Sequence, residues 1–186
     1  MPVYSDSKAI GFWGSRSGCG TTSLAVNFAY LISQAGKGKI LLVDPDTHAG
    51  DAGLLLPSGG YGKLTQLFHS ANGADVSDQQ LHSSIYPVNG HFHLLNDLAD
   101  NPYHGSFLAH HLVPTASQHY STQVWDIPAF SSEQVLLPLF DQLDTCILVM
   151  EPSITGLRDI QRKLKLLKCC PQLKILLVVF HVSLMM

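Results

Sequence analysis

Arg16, Thr21, Thr22, Asp44, Asp46 and Asp126 are the side chains of this 186-residue chain whose types and spacing could do chemistry together, on a phosphate. The first three lie in Arg16-Ser-Gly-Cys-Gly-Thr-Thr-Ser23. That stretch is entered from the apolar run Ala9-Ile-Gly-Phe-Trp13 and left through Leu24, Phe28, Leu31 and Ile32 at helical spacing. A strand feeding a glycine-rich turn that opens a helix aims backbone N–H groups and the positive end of a helix dipole at one spot, where an anion fits. Gly18 and Gly20 supply the backbone freedom such a turn needs. Thr22 is placed to put a hydroxyl on a magnesium ion. Ser17, Cys19 and Ser23 complete the segment expected to surround the phosphates. Thr21, however, stands where a phosphate loop carries the lysine that reaches the β- and γ-phosphates. The chain reads as built to hold a nucleotide while lacking the ammonium group that helps to split one.

The carboxylates supply the other half of the chemistry. Asp126 closes Thr122-Gln-Val-Trp-Asp126 and precedes Ile127-Pro128, the place of a residue that holds magnesium through water. Asp44 and Asp46 close a second apolar run in Leu42-Val-Asp-Pro-Asp-Thr47. Positions i and i+2 face the same way while the chain stays extended, so both carboxylates can point at one site. Each pair alone would read equally as solvated loop acids or helix caps; the loop at 14–22 favours the site. A charge-assisted contact such as the missing lysine makes is worth about 1.5–3 kcal/mol. Amides, helix dipole and magnesium remain, so weak nucleotide binding is expected.

The elements that must position these groups alternate between apolar runs and helical patterns, the order of a parallel sheet with crossover helices. Gly36-Lys-Gly38 ends the first helix, and Ile40-Leu-Leu-Val43 forms a buried strand. The segment 44–56 is a loop with three acidic residues. Short helices are expected at 64–68 and 77–84, a strand at 91–95, and a helical pattern at 107–116 interrupted by Pro114. Strands follow at 122–126, 146–150 and 175–179. Between the last two, Ser153 caps a helix with an apolar stripe of Ile154, Leu157, Ile160, Leu164 and Leu167, expected to pack on the sheet. Its other face carries Arg158, Arg162, Lys163, Lys165 and Lys168, a modest basic surface. The closing residues, 180–186, show no helical continuation, which suggests a fragment or a truncated C-terminus.

Composition sets the class. A chain of this length makes one domain, 1–186, and 46% hydrophobic residues with 13% charged suit an α/β domain covered on both sheet faces. The formal net charge of -3 makes no strong case for nucleic acid or anionic membrane. No apolar run is long enough for an integral membrane segment, and no signal peptide is visible, so the expected location is the cytoplasm. The four cysteines fit no metal pattern and are expected reduced. Ten histidines show no recurrent ligand spacing, and no G-x-S-x-G elbow marks a hydrolase.

Arg16-Ser-Gly-Cys-Gly-Thr-Thr-Ser-Leu-Ala-Val-Asn-Phe-Ala29 resembles the deviant Walker-A segment of the ParA/MinD class of ATPases. The segment 41–56, Leu-Leu-Val-Asp-Pro-Asp-Thr-His-Ala-Gly-Asp-Ala-Gly-Leu-Leu-Leu, resembles its switch segment, and the run from Val124 resembles its Walker-B strand and the segment beyond that strand. Within that class, D-x-D-x-x-x-G-D-x-x-L-L and E-P-S-x-x-x-L-R-D are most similar to the CpaE/TadZ branch, which serves assembly and polar placement of Flp (tight-adherence) type IV pili. The resemblance implies a P-loop NTPase-like fold, a mostly parallel sheet with helices on both faces. It implies ATP and Mg2+ as cofactors, a nucleotide-dependent homodimer, and pilus or secretion-machine proteins as partners. Residue by residue, Arg16 falls on the signature lysine that reaches across the dimer and Thr22 on the magnesium-binding hydroxyl. The loop lysine falls on Thr21, the catalytic aspartate that orients water on Asp46, and the Walker-B aspartate on Asp126; Thr22, Asp44 and Asp126 are expected to organise magnesium. The chain departs from the branch in starting without a receiver-like domain, and Phe180-His181 stands where a base-contacting Asn-Arg is usual. A slow partition- or division-site ATPase and a pseudo-ATPase binding module remain alternatives.

Overall fold

The computed structural model describes residues 6–36, 38–46, 50–57, 59–97 and 105–179. The closing residues 180–186, and with them Phe180 and His181, lie outside the described residues, as do Thr47 and His48 of the switch segment. In chain order the elements are β1 (Lys8–Gly14), α1 (Thr21–Gln34), β2 (Ile40–Val43), a 3-10 turn (Asp51–Leu55), α2 (Leu64–Ala71), α3 (Asp78–Ser84), β3 (Tyr86–Pro87) and β4 (Phe92–Leu95). A helical stretch then runs through α4 (Gly105–Phe107), a π turn (Leu108–Leu112) and α5 (Val113–His119). It is followed by β5 (Thr122–Ile127), α6 (Glu133–Phe140), β6 (Thr145–Met150), α7 (Ile154–Leu167) and β7 (Lys174–Val179).

The strands form one sheet in the order β3-β4-β2-β5-β1-β6-β7. Every pairing is parallel except that of β3 with β4. Alternation along each strand divides the core between the two faces. Phe12, Ile40, Leu42 and Val124 pack with Ala25, Val26 and Ala29 of α1 on one face. Trp13, Leu41, Val43 and Trp125 pack with residues of α2, α3, α5, α6 and α7 on the other. Register decides what the carboxyl end of the sheet presents. Phe12 pairs with Asp126 and Val43 with Trp125, so Asp44, one step past Val43, comes beside Asp126.

Several expectations need correction. In α7 the buried side is Gly156, Ile160, Lys163 and Leu167, whereas Ile154, Leu157 and Leu164 are 89%, 51% and 38% exposed. The apolar stripe is thus rotated off the sheet, and Lys163 belongs to the interior rather than to a solvated basic face. In α1 the tight contact comes from the small residues Ala25, Val26 and Ala29, while Leu31 is exposed. Pro114 does not interrupt its helix. It sits in the first turn of α5, directly after the π turn, where the helix continues past a residue that has no N–H to donate. The sequence reading missed α6, whose Pro138 breaks the helical signal, and the two-residue β3. Ser153 caps α7 as expected, accepting from the Gly156 N–H at 3.0 Å. The strand β7 is largely exposed, including Leu176 and Leu177.

Candidate phosphate site

The loop between β1 and α1 turns through Gly18 (φ 79°) and Gly20 (φ 90°), both left-handed, where a side chain would be strained. Gly14 has a different role. A methyl there would lie 2.2 Å from Thr21 Oγ1 and 2.8 Å from Cys19 Sγ, so glycine lets the loop fold back over the strand end. The Ser15 N–H donates to the Val149 carbonyl at 2.7 Å, anchoring the loop to β6. No side chain caps α1, leaving its first-turn amides available to an anion.

Arg16, Ser17, Gly18, Gly20, Thr21, Thr22 and Ser23 form one wall of a cavity of about 750 Å³. Asp46, Asp51, Asp126 and the segment 127–132 line the same cavity. The structure therefore brings together nearly all of the sequence-predicted residues. Cys19 differs: its side chain is buried behind the loop, 3.2 Å from Thr21 Oγ1 and 3.5 Å from the Val149 carbonyl. Only its main chain belongs to the expected cradle. Thr21 is likewise engaged by Cys19 and does not extend as a lysine would.

Asp44 is buried and does not line the cavity. Its Oδ1 accepts the Asp46 N–H at 3.0 Å and its Oδ2 the Ala52 N–H at 3.2 Å, so it ties the switch loop to the strand end. Gly50 admits this close packing, since a methyl there would lie 2.7 Å from the Asp97 carbonyl. Burial, and then the charge of Asp126, push the Asp44 carboxyl up to about 8, against the two amides that stabilise its charged form. Burial also pushes Asp126 up to about 6; the Thr22 hydroxyl hydrogen-bonded to it opposes the rise, and Asp46 and Asp51 add to it. No lysine or arginine is among the groups acting on either carboxylate. Two buried acids side by side with so little compensating charge suit a cation. Among the described residues no set of three or more His, Cys, Asp or Glu side chains could hold a metal ion alone. Magnesium, which takes one or two carboxylates together with phosphate oxygens and water, fits that limit.

Arg16 forms an ion pair with Glu151, whose Oε1 also accepts from Ser153 Oγ at 2.8 Å. Those hydrogen bonds, that of Ser153 first and that of Arg16 second, hold the Glu151 carboxyl below its ordinary value. The sequence reading missed Glu151 as the partner of Arg16. The signal was the E-P-S phrase after an apolar strand, which places an acid at the carboxyl end of β6 beside the loop.

No protein-family model matches the chain, and no curated protein matches it. Solved structures do. The chain is similar to a ParA family ATPase from Chlorobium tepidum, with 21% identity, 96% of this chain and 78% of that one covered, and a TM-score of 0.75. It is similar to an aspartate-to-alanine variant of McdA from Cyanothece in complex with ATP, with 18% identity, 95% and 71% covered, and a TM-score of 0.67. The MinC:MinD cell-division complex of Aquifex aeolicus matches at 17% identity, 95% and 70% covered, and a TM-score of 0.69. The fold is that of the ParA/MinD P-loop ATPases. Among the described residues no helix is long and apolar enough to cross a membrane.

Proposed function

We propose that this chain binds a nucleoside triphosphate, ATP in the first instance, as its magnesium complex, and acts as a slow or non-hydrolysing switch. The observation that carries the reading is the cavity lined by the uncapped start of α1 together with Asp126, which the Thr22 hydroxyl contacts. Gly18, Gly20, Thr21, Thr22 and Ser23 would hold phosphates through amides and hydroxyls. Thr22 and Asp126 would hold magnesium, with Asp44 beside them fixing the switch loop. Magnesium would neutralise phosphate charge and let the two acids ionise. Asp46, on the cavity wall, would orient water if hydrolysis occurs. The absent lysine argues for binding with little turnover, and it favours the switch reading over an active partition-type ATPase.

The role we favour is nucleotide-dependent placement or scaffolding of a pilus or secretion machine. It is supported by Asp44, Asp46, Gly50 and Asp51 in the switch phrase and by Glu151, Pro152 and Ser153 after β6. In such a switch Arg16 would leave Glu151 and reach a nucleotide held by a second copy. Titration calorimetry with ATP, ADP and GTP, with and without magnesium, together with light scattering, tests both steps. Binding of Mg-ATP with nucleotide-dependent dimerisation is expected. No binding at millimolar nucleotide would end the reading.

A further inference from the structure

Lys163 is the feature that the proposed site has not used. It lies on the buried side of α7 at only 8% exposure, an uncommon place for a lysine. Its Nζ sits 3.5 Å from the centroid of the Trp13 ring and donates to the Ala129 carbonyl at 2.9 Å. Trp13 is on the strand that feeds the phosphate loop, and Ala129 lines the cavity. The titratable groups facing the ammonium are Cys146 on β6, Asp159 one turn back on α7, and Cys19 in the loop. Burial holds the Cys146 thiol protonated, and Asp159 is paired with Arg158 and Arg162. Among the described residues no carboxylate forms an ion pair with Lys163. Burial without a counter-ion pushes the lysine down to about 8. An ammonium whose partners are a ring face and a carbonyl of the cavity lining keeps its charge free to act on an anion bound beside it.

We propose that Lys163 supplies from α7 the positive charge that the phosphate loop lacks at Thr21, acting on bound phosphate from behind the cavity wall, where it holds the Ala129 carbonyl. It is a positioning residue: its ammonium fixes the Ala129 carbonyl and sets the potential of the cavity without lining it. In a poorly solvated wall a single charge acts over several ångströms, because little water screens it. The inference rests on the nucleotide-binding reading above.

The test is Mg-ATP affinity, by calorimetry at pH 7, of the whole chain and of Lys163→Met, Lys163→Gln and Lys163→Arg. Methionine keeps an apolar stem over Trp13, and glutamine keeps a donor for Ala129. Both are expected to bind about tenfold more weakly, while arginine, which keeps the charge, stays within about threefold. Wild-type affinity in Lys163→Gln would show that the ammonium serves only as a hydrogen-bond post, overturning the inference while leaving the nucleotide site intact. Failure of the wild type itself to bind would overturn both. Should the glutamine and arginine variants not fold, Trp13 fluorescence decides in a Trp125→Phe background, where it is the single tryptophan. The basic midpoint that Lys163→Met removes must move up when Mg-ATP binds; an unmoved midpoint overturns the inference.

Discussion

In the cavity, the wall built by β1 and α1 offers a phosphate only amides, hydroxyls and an arginine already paired with Glu151. The wall built by β2 and β5 holds Asp46 and Asp126, with Asp44 buried behind them. One side has lost the cation that usually balances the other. Backbone geometry survives that loss because left-handed glycines and an uncapped helix do not depend on a lysine. Charge balance does not survive it, and the raised carboxyls of Asp44 and Asp126 register the imbalance. Shape and charge at this site are separable properties, and each wall can be tested alone.

The loop wall is broken most completely by Gly14→Ala, whose methyl would meet Thr21 Oγ1 and Cys19 Sγ. Overpacking of this kind costs about 1–3 kcal/mol. The melting temperature should fall by several degrees, and calorimetry should detect no Mg-ATP binding. Binding like the wild type would mean that the loop is not what grips the ligand.

The acidic wall is tested by Asp126→Asn. The rise from 3.8 to about 6 corresponds to ~3 kcal/mol of unfavourable ionisation. The folded state holds these protons more tightly than the unfolded chain does. Stability therefore falls as pH rises from about 4 to about 6 for Asp126, and from about 4 to about 8 for Asp44. Without magnesium at pH 8, Asp126→Asn should melt a few degrees higher than the wild type and lose its stabilisation by magnesium. In the wild type that stabilisation should be larger at pH 8 than at pH 6, since protons compete with the cation. Equal thermal shifts at the two pH values would exclude a metal held by Asp126.

Thr21→Lys restores the charge on the loop side. It should tighten Mg-ATP binding about tenfold or more and raise turnover in a phosphate-release assay. Unchanged affinity would mean that the loop is not shaped for the lysine. The smallest effect is expected from Glu151→Gln, which frees Arg16 from an exposed pair. Affinity or dimerisation should change by less than about fivefold, measured by calorimetry and light scattering. A larger change would make this pair the main gate of the site.

The site was more legible than the packing around it. The residues 14–23 and Asp126 carry their meaning in local order, because a strand, a glycine turn and a helix start lie next to each other in the chain. Capping by Ser153 was legible for the same reason. The orientation of α7 was not. Ile154, Leu157, Ile160, Leu164 and Leu167 make a convincing stripe, yet Gly156, Ile160, Lys163 and Leu167 share an equally helical spacing, and only the latter set meets the sheet. The ion pair of Arg16 with Glu151 joins residues far apart in sequence; the E-P-S phrase put an acid at the end of β6, but the pairing itself came only with the sheet order that sets β6 beside β1.

Sequence alone determined the alternation of strands and helices, the phosphate-loop outline and the missing lysine, since each depends on residues within one or two turns of each other. Tertiary structure decided that Asp44 supports the switch loop from behind the cavity, that Thr21 turns toward Cys19, and that Lys163 enters the interior. These outcomes depend on which face each element turns to its neighbours. That choice is made by packing over the whole domain, which no single segment can encode.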